Sequence, residues 1–450
     1  MARPSVSSVD QITIAPTTKT GGEGHGLRDE RSAQQVGPRA WFALAILTFV
    51  YVLNFVDRQL LSILAKPIQD NLHVTDGQLG LIGGLYFALF YCLIAIPVGW
   101  LADRTTRSRV LAAACALWSA ATMACGLSAN YPQLVVARMT VGIGEAGGVP
   151  PSYAIISDYF PPGRRGTALG VYNLGPPIGQ AFGIAAGASI AAAFGWRQAF
   201  IALGAVGLGA ALLVISAVRE PARGGFDPVP APAKSGFAKT VRMFVSNPAL
   251  MLAAFGGGVT QIVTYGAGNF STLILMREKG MTLGEVAVWY ALVVAIFMSG
   301  GIFVSGRVID RFTRVSKQAY ALIPAASLAA SAPFFLGFTL APTWQLALLF
   351  SAGSTSLNYF YLSSAVALTQ QEVAPDQRVL SGALLLLIMN LMGLGIGPAL
   401  VGCMSDHFHA AHPHTSLQLA FLCLLPFYGL AILLFLALAR VLKREETTRR

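Results

Sequence analysis

The chain has 450 residues, of which 55% are hydrophobic and only 11% are charged. Soluble proteins carry about 25% charged residues, so this composition excludes a water-soluble globule and predicts that lipid solvates most of the surface. The formal net charge is +11, but the basic residues lie in short clusters between apolar runs. Without a continuous basic face, a nucleic-acid-binding function is excluded as well.

Residues 1–38 are polar and contain no apolar segment of the kind that a signal peptide requires. We therefore predict a disordered, cytoplasmic N-terminal tail. A helix needs about 20 apolar residues to cross a bilayer. Runs of this kind predict an all-α membrane protein with twelve transmembrane helices, spans 1 to 12, at residues 40–66, 78–102, 109–128, 132–157, 166–193, 197–218, 249–276, 284–309, 318–339, 343–373, 379–404 and 416–441.

The longest segment between these runs, 219–248, contains Pro221, Pro228, Pro230 and Pro232 and several basic residues, which indicates a cytoplasmic linker. It divides the spans into a first half over 39–218 and a second half over 249–442, with a C-terminal tail at 443–450. If the N-terminus is cytoplasmic, 25 of the 31 Lys and Arg residues lie on inner segments and four on outer ones. Because cytoplasmic loops carry an excess of these residues, we expect a protein of the cell inner (plasma) membrane with both termini on the cytoplasmic side.

A short motif occurs once in each half. Residues 99–107 after span 2 read GWLADRTTR, and residues 306–314 after span 8 read GRVIDRFTR. The four residues of the pattern G-x-x-x-D-R-x-x-R that both segments share are offset by 207 positions, about half the chain. This repeat predicts two pseudo-symmetric six-helix bundles that enclose a cavity near the middle of the membrane.

The repeated motif and the arrangement of six spans plus six resemble the major facilitator superfamily over essentially the whole chain. Three further segments resemble its Spinster group, namely residues 54–58 (NFVDR), 142–146 (GIGEA) and 219–221 (REP). The resemblance implies a transporter that rocks between inward-facing and outward-facing states. It also implies a lipid-like substrate, such as a lysophospholipid or a sphingoid phosphate.

Four charged residues lie inside the predicted spans: Asp57 and Arg58 in span 1, and Arg138 and Glu145 in span 4. A charge in the hydrocarbon core costs about 2.5–3.5 kcal/mol even on insertion scales, so such residues usually mark a functional pathway. Helical spacing places Asp57 and Arg58 on one side of span 1 together with Asn54, and Arg138 and Glu145 on one face of span 4.

The resemblance implies that spans 1 and 4 adjoin and that Asp57 and Arg58 form the switch pair. A carboxyl group beside an arginine stays ionised, whereas one left in a dry cavity takes up a proton. We therefore hypothesise that Asp57 and Glu145 exchange protons and arginine partners, with Arg58 and Arg138 as those partners, as the cavity changes sides. The alternative is a static ion network that holds the first half together.

The loop after span 2 indicates a cytoplasmic gate rather than a substrate site. Asp103 is expected to bind the N-terminus of span 11, and Arg107 is expected to pair with Asp158 at the end of span 4. The resemblance implies that such contacts close the inner side of the cavity. The remaining predicted gate residues are Arg104, Asp310 and Arg311.

The second half carries no comparable charges within its spans, and its polar residues lie mainly in spans 7 and 10, the repeat partners of spans 1 and 4. A charged first half that faces an uncharged, aromatic second half suits an amphiphile, with its headgroup at the arginines. The predicted substrate site consists of Asn54, Arg58, Arg138, Glu145, Thr264, Tyr265, Asn269, Ser354, Asn358 and Tyr359.

Three other patterns are weaker. The glycine-rich stretch 175–187 resembles an antiporter motif, but its spacing more often indicates close helix packing. Residues 142–147 match a dinucleotide-binding pattern but lie inside a span with no preceding strand. The four histidines within 407–414 favour a solvated outer loop over a metal site, and their role stays open.

The sequence thus predicts a secondary active, proton-coupled transporter of an amphiphilic anionic or zwitterionic lipid that works by alternating access. A proton-coupled drug or organic-anion transporter of the same fold is the alternative. We expect neither enzymatic activity nor a cofactor or metal, and the chain has no P-loop that would bind ATP. The expected partners are the small substrate, protons and membrane lipid, with no nucleic acid, and the expected state is a monomer.

Overall fold

The computed structural model describes residues 36–223, 236–374 and 377–449. These ranges are almost entirely helical and contain no strand. Within them, ten helical segments are long and apolar enough to cross a membrane, some of them with short interruptions. The remaining two predicted spans, 4 and 10, are each divided into two shorter helices. The predicted all-helical membrane fold is confirmed.

The helices follow the predicted spans in order. In the first half, span 1 is Pro38–Ile63, span 2 is Asp76–Gly80, Leu81–Leu85 and Tyr86–Arg104, span 3 is Arg107–Leu127, span 4 is Tyr131–Glu145 and Val149–Tyr159, span 5 is Pro162–Tyr172 and Gly175–Phe194, and span 6 is Trp196–Ala217. In the second half, span 7 is Pro248–Arg277, span 8 is Leu283–Glu285, Val286–Tyr290, Ala291–Val293, Val294–Met298 and Ser299–Thr313, span 9 is Ala319–Leu340, span 10 is Trp344–Asn358 and Phe360–Glu372, span 11 is Arg378–His409, and span 12 is Ser416–Leu422 and Leu425–Arg449. There are two further short helices. Ala65–Leu72 follows span 1, and Phe237–Ser246 precedes span 7.

Proline accounts for the interruption in two of these spans. In span 4, Pro150 and Pro151 lack the N–H groups that would continue the helical hydrogen bonds, and the break falls just before them, directly after Glu145. Pro176 and Pro177 act in the same way in span 5, where the first helix ends at Tyr172. The first of these breaks lies beside a charged residue of the predicted site.

The predicted tail and linker fall largely outside the described residues. Of the tail over 1–38, only 36–38 are described, and of the linker over 219–248, residues 224–235 are not. The C-terminal tail predicted at 443–450 is instead part of the helix Leu425–Arg449. Its last turns are held because Glu445 and Glu446 both bind Lys317 at the start of span 9.

The glycines of span 5 pack against span 1. A Cβ atom on Gly179 would lie 2.5 Å from the carbonyl oxygen of Val52, and one on Gly183 would lie 3.0 Å from the Cα atom of Val56. Only glycine permits so close an approach of two backbones. This contact fixes the position of span 1, which carries two of the four charged residues.

We call the end of the bundle where span 1 begins and span 12 ends the terminal end, and the opposite end the far end. The two halves approach each other closely along spans 2 and 11 toward the far end. There the backbone of Gly80 lies against Pro398, and a Cβ atom on Gly84 would lie 2.9 Å from the carbonyl oxygen of Leu394. At the terminal end, the motif glycines Gly99 and Gly306 face open space.

Candidate transport site

An ion pair between spans 1 and 4 forms the centre of the candidate site. The Nε atom of Arg58 lies 2.6 Å from Oε2 of Glu145, whose side chain is fully enclosed, while the Arg58 side chain is 15% exposed. The Arg58 guanidinium also lies 5.0–5.3 Å from the ring centres of Phe55, Phe87 and Tyr91. Aromatic faces attract a cation at this distance, so the pair and the rings together orient Arg58.

The other two charged residues complete the cluster. Asp57 is buried and accepts a hydrogen bond of 2.7 Å from the hydroxyl group of Thr122 on span 3. Arg138 is also buried and interacts electrostatically with both Asp57 and Glu145. The structure therefore brings together all four charged residues that the sequence singled out, and two acids balance two bases.

Several buried polar atoms in and around this cluster make no hydrogen bond to the described residues. Among the described residues, no hydrogen-bond partner occurs for Oδ1 of Asp57, Nε and Nη1 of Arg138, Oε1 of Glu145 or Oδ1 of Asn54. Buried polar groups are normally paired, so unpaired atoms of this kind indicate bound water, a bound ligand or an alternative arrangement. The surplus leaves donors and acceptors free to change partners.

Burial separates the predicted substrate contacts of the first half into two groups. Asn54, Arg138 and Glu145 are each at most 3% exposed, whereas the Arg58 side chain is 15% exposed. In this conformation Arg58 is therefore the member of the group that a ligand can reach.

A cavity of about 100 Å³ lies mostly within the second half, and its lining includes Gln59, the neighbour of Arg58 in the sequence. Eleven of its nineteen lining side chains carry a hydroxyl or amide group, and none is charged. The polar members are Gln59, Gln180, Thr264, Ser271, Tyr290, Ser351, Ser354, Thr355, Asn358, Tyr359 and Tyr428. Four of the six predicted residues of the second half, Thr264, Ser354, Asn358 and Tyr359, line this cavity.

The other two predicted residues of the second half lie elsewhere. Tyr265 lies close enough to Arg58 to interact with it electrostatically, so adjacent residues of span 7 face the charged cluster and the cavity. Asn269 donates a hydrogen bond of 3.0 Å to the backbone of Tyr265 and packs against Gly83 of span 2. It does not line the cavity.

Sequence reasoning missed Gln59 and Gln180, which reach the cavity from the first half. Both are polar residues inside apolar runs. The rule that selected the polar residues of spans 7 and 10 would have found them if it had been applied to spans 1 and 5.

At the terminal end, Arg107 binds two acids. Its Nη1 atom lies 2.6 Å from Asp158, the predicted partner, and its Nε atom lies 2.7 Å from Glu220. The backbone N–H of Ser108 also donates to Glu220, at 3.0 Å. Burial alone would raise the pKa of the Glu220 carboxyl group, but these hydrogen bonds lower it below its usual value. All these contacts join elements of the first half.

The other predicted gate residues have different surroundings. The side chain of Asp103, and with it the predicted contact with span 11, lies outside the described part of the structure. The guanidinium of Arg104 lies 4.1 Å from the ring centre of Trp100. Asp310 and Arg311 are exposed, and no ion pair of either occurs among the described residues.

The second half repeats the Arg107 arrangement with a different residue. Lys317, at the start of span 9, forms ion pairs with Glu372 at the end of span 10 and with Glu445 near the end of span 12, the latter at 3.2 Å. The repeat motif places Arg314, not Lys317, opposite Arg107, so the sequence pattern did not reveal this pairing.

The far end carries a second interface that the sequence did not predict. Asp76 of span 2 accepts two hydrogen bonds from Arg277 of span 7, at 3.0 and 2.8 Å, and one from Ser405 of span 11, at 2.6 Å. Asp406 accepts a hydrogen bond of 2.9 Å from the backbone of Gly77. We call these five residues the far-end cluster. It joins the two halves, and the four exposed histidines of 407–414 lie beside it.

A sequence profile of the Major Facilitator Superfamily matches residues 47–384, about three quarters of the chain. The chain belongs to the major facilitator superfamily. This member is 33% identical to an MFS-type efflux pump of Mycolicibacterium smegmatis over 84% of its own length and 87% of that protein. It is 25% identical to protein spinster homolog 1 of Xenopus laevis, over 87% of its own length and 78% of the relative.

Two solved structures match this major facilitator along nearly its whole length. Both are crystal structures of a bacterial homologue of the human lysosomal transporter Spinster in an inward-facing conformation. The unoccupied form gives a TM-score of 0.85 at 28% identity and covers 91% of this chain and 99% of that one. The occupied form gives 0.80 at 27% identity, with 90% and 98% covered. The protein is therefore a Spinster-type, multi-pass membrane transporter rather than an enzyme, as the sequence predicted.

Proposed function

We propose that this major facilitator is a secondary active, proton-coupled transporter of an amphiphilic anionic or zwitterionic lipid that works by alternating access. The observation that carries the proposal is the buried cluster of two acids and two arginines, in which Arg58 is the most exposed member. A balanced cluster of this kind is stable only while every charge has its partner. A ligand that engages Arg58 therefore changes the state of the whole cluster.

The headgroup of the substrate binds Arg58 in this proposal. A guanidinium group offers five N–H donors, and the described contact with Glu145 uses the one on Nε. Phosphate and carboxylate groups match the remaining donors with two parallel hydrogen bonds. Lysophospholipids and sphingoid phosphates carry such an anionic group.

Proton coupling follows from competition for Arg58. An anionic headgroup that binds Arg58 weakens the ion pair with Glu145. A carboxyl group that loses its arginine in a dry site takes up a proton, and Asp57 has the same option when Arg138 turns toward Glu145. Asp57, Arg58, Arg138 and Glu145 are therefore the proposed coupling residues, while Asn54, Arg138 and Glu145 contact substrate only when the cluster opens.

The cavity of the second half takes a polar part of the substrate. Pockets that enclose a drug-sized ligand measure about 300–1,000 Å³, well above the value of about 100 Å³ found here. Its hydroxyl and amide lining suits the glycerol or hydroxyl groups of a lipid headgroup. The acyl chain then lies outside this cavity, against the apolar faces of the two halves.

The far-end cluster closes one side of the transporter in the conformation described. With cytoplasmic termini, as the distribution of Lys and Arg supports, the far end is the outer side, so this conformation is open toward the cytoplasm. The similarity to a bacterial Spinster homologue in an inward-facing conformation supports the same orientation. The proposed cytoplasmic gate comprises Asp103, Arg104, Arg107, Asp158, Asp310 and Arg311, and we include Glu220 because it binds Arg107.

Uptake of a fluorescent lysophospholipid into proteoliposomes at pH 6 and pH 8 tests the proposal. We expect uptake that depends on pH in the parent protein, a drop of at least about tenfold in Arg58→Gln, and loss of the pH dependence in Asp57→Asn. Lys66→Ala is the matched control, because Lys66 pairs with Asp70 on the exposed surface. Proton coupling would be refuted if uptake by the parent were the same at both pH values and Asp57→Asn were as active as the parent.

A second candidate is a proton-coupled drug or organic-anion transporter, which the similarity to the mycobacterial efflux pump supports. Competition in the same proteoliposomes separates the two. An anionic dye that reduces lysophospholipid uptake less than an equal concentration of unlabelled lysophospholipid supports the lipid carrier. Dye transport without any lysophospholipid uptake supports the second candidate.

A further inference from the structure

A second, small cavity lies beside Asp57, and neither Arg58 nor Glu145 lines it. Spans 1, 3 and 6 enclose it, and its lining includes Asp57, Trp118, Ser119, Thr122 and Gly204. Its volume is about 10 Å³, close to what a single water molecule needs.

Two buried oxygen atoms at this cavity have no hydrogen-bond partner among the described residues. They are Oδ1 of Asp57 and Oγ of Ser119. A third oxygen, Oγ1 of Thr122, shares its hydrogen between Oδ2 of Asp57 and the carbonyl oxygen of Trp118, and its lone pairs remain available. Three polar groups thus converge on a space that one water molecule would fill, and buried water typically makes about three hydrogen bonds.

The wall of the cavity depends on glycine in span 6. A Cβ atom on Gly207 would collide with Oγ of Ser119, and a Cβ atom on Gly204 would lie 2.7 Å from the carbonyl oxygen of Ser119. These glycines let span 6 approach span 3 closely while the Ser119 hydroxyl group still has room. Close packing on this side explains why the cavity has the size of one water molecule and no more.

We propose that this cavity binds one water molecule, which donates to Oδ1 of Asp57 and is held by Ser119 and Thr122. A metal cation fits the site less well, because hard cations take six or more oxygen ligands and Arg138 already faces Asp57. The water gives Asp57 a hydrogen-bond partner that is independent of Arg58 and of any substrate. The site does not depend on the proposed transport function.

The thermal stability of Ser119→Ala tests the proposal, because a hydrated cavity and a dry cavity predict different changes in the melting temperature. If water is bound, removing the hydroxyl group takes away one of its partners, and the melting temperature in detergent falls below that of the parent. If the cavity is dry, Ser119 carries an unsatisfied hydroxyl group, and its removal leaves the melting temperature unchanged or raises it. The control is Ser327→Ala, because the buried Ser327 hydroxyl group bonds its own helix.

A high-resolution structure of the parent and of Ser119→Ala in sodium and in potassium buffer completes the test. A density peak within hydrogen-bond distance of Asp57 and Ser119 in the parent, the same in both buffers and lost or displaced in the variant, supports the water site. A featureless cavity in the parent, or a peak that requires sodium, overturns it. The uptake assay is not involved, so failure of the transport proposal leaves this result unaffected.

Discussion

Arg58 and Glu145 lie 87 residues apart in the sequence, and their side chains meet at 2.6 Å in the interior of the first half. Removing one partner of a buried ion pair leaves an uncompensated charge, which costs about 3–5 kcal/mol, whereas removing both costs far less. The pair is therefore a condition for stability as well as a candidate part of the transport cycle.

We predict that Arg58→Gln and Glu145→Gln each lower the melting temperature in detergent, and that the double variant is more stable than the sum of the two effects. The reason is that the second substitution removes the charge that the first leaves unpaired. A double-mutant cycle from thermal denaturation measures this coupling. Strictly additive effects would show that the two side chains do not depend on each other.

The far-end cluster leads to a second prediction. Asp76→Asn weakens its hydrogen bonds with Arg277 and should shift the protein toward conformations that are open at the far end, because Asp76 binds residues of the other half. Distances between spin labels on the far ends of spans 2 and 11 measure the shift. Asp70→Asn serves as the control, since Asp70 pairs with Lys66 within the same half. Identical distance distributions in Asp76→Asn and the parent would contradict the prediction.

Glu220 gives a prediction about pH. Hydrogen bonds from Arg107 and Ser108 lower its pKa despite its partial burial. The stabilisation is therefore fully present above the ordinary carboxyl pKa of about 4.3 and is lost as the pH falls through the lowered value. We expect Glu220→Gln to melt at a lower temperature than the parent at pH 7, and the difference to shrink below about pH 4. A difference that stays constant across this range would rule out the ionic contribution.

The contact between spans 5 and 1 gives a fourth prediction. Gly179→Ala should destabilise the protein, because the new Cβ atom would lie 2.5 Å from a backbone oxygen of Val52 and the two spans would have to move apart. The matched control is Gly209→Ala in span 6, where nothing lies within 4 Å of the new atom. This control should be neutral or more stable by up to about 1 kcal/mol, because alanine is the better helix former. Thermal denaturation of both variants decides the matter.

Much of the architecture was readable from the sequence because a bilayer imposes simple rules. Apolar runs of about 20 residues predicted the spans, and the cost of burying charge singled out Asp57, Arg58, Arg138 and Glu145 before any contact was known. Pairing of Arg107 with Asp158 was predicted from the opposite charges in the loop after span 2 and at the end of span 4, and the structure contains this ion pair.

The remaining contacts lie between residues whose types are ordinary for their positions. Asp76 and Arg277 stand at the ends of spans, where charges are common, and 201 residues separate them. Lys317 takes the place that the repeat assigned to Arg314, because its position at the start of span 9 reaches both Glu372 and Glu445. Only the packing of the helices identifies such partners.

Proton movement driven by substrate is the most direct test of the proposed mechanism. A pH-sensitive dye inside proteoliposomes reports whether adding a lysophospholipid, with no pH gradient imposed, changes the internal pH. We predict a change in internal pH with the parent protein and none with the double variant Asp57→Asn/Glu145→Gln. Lysophospholipid uptake by the parent without any change in internal pH would contradict proton coupling through this cluster.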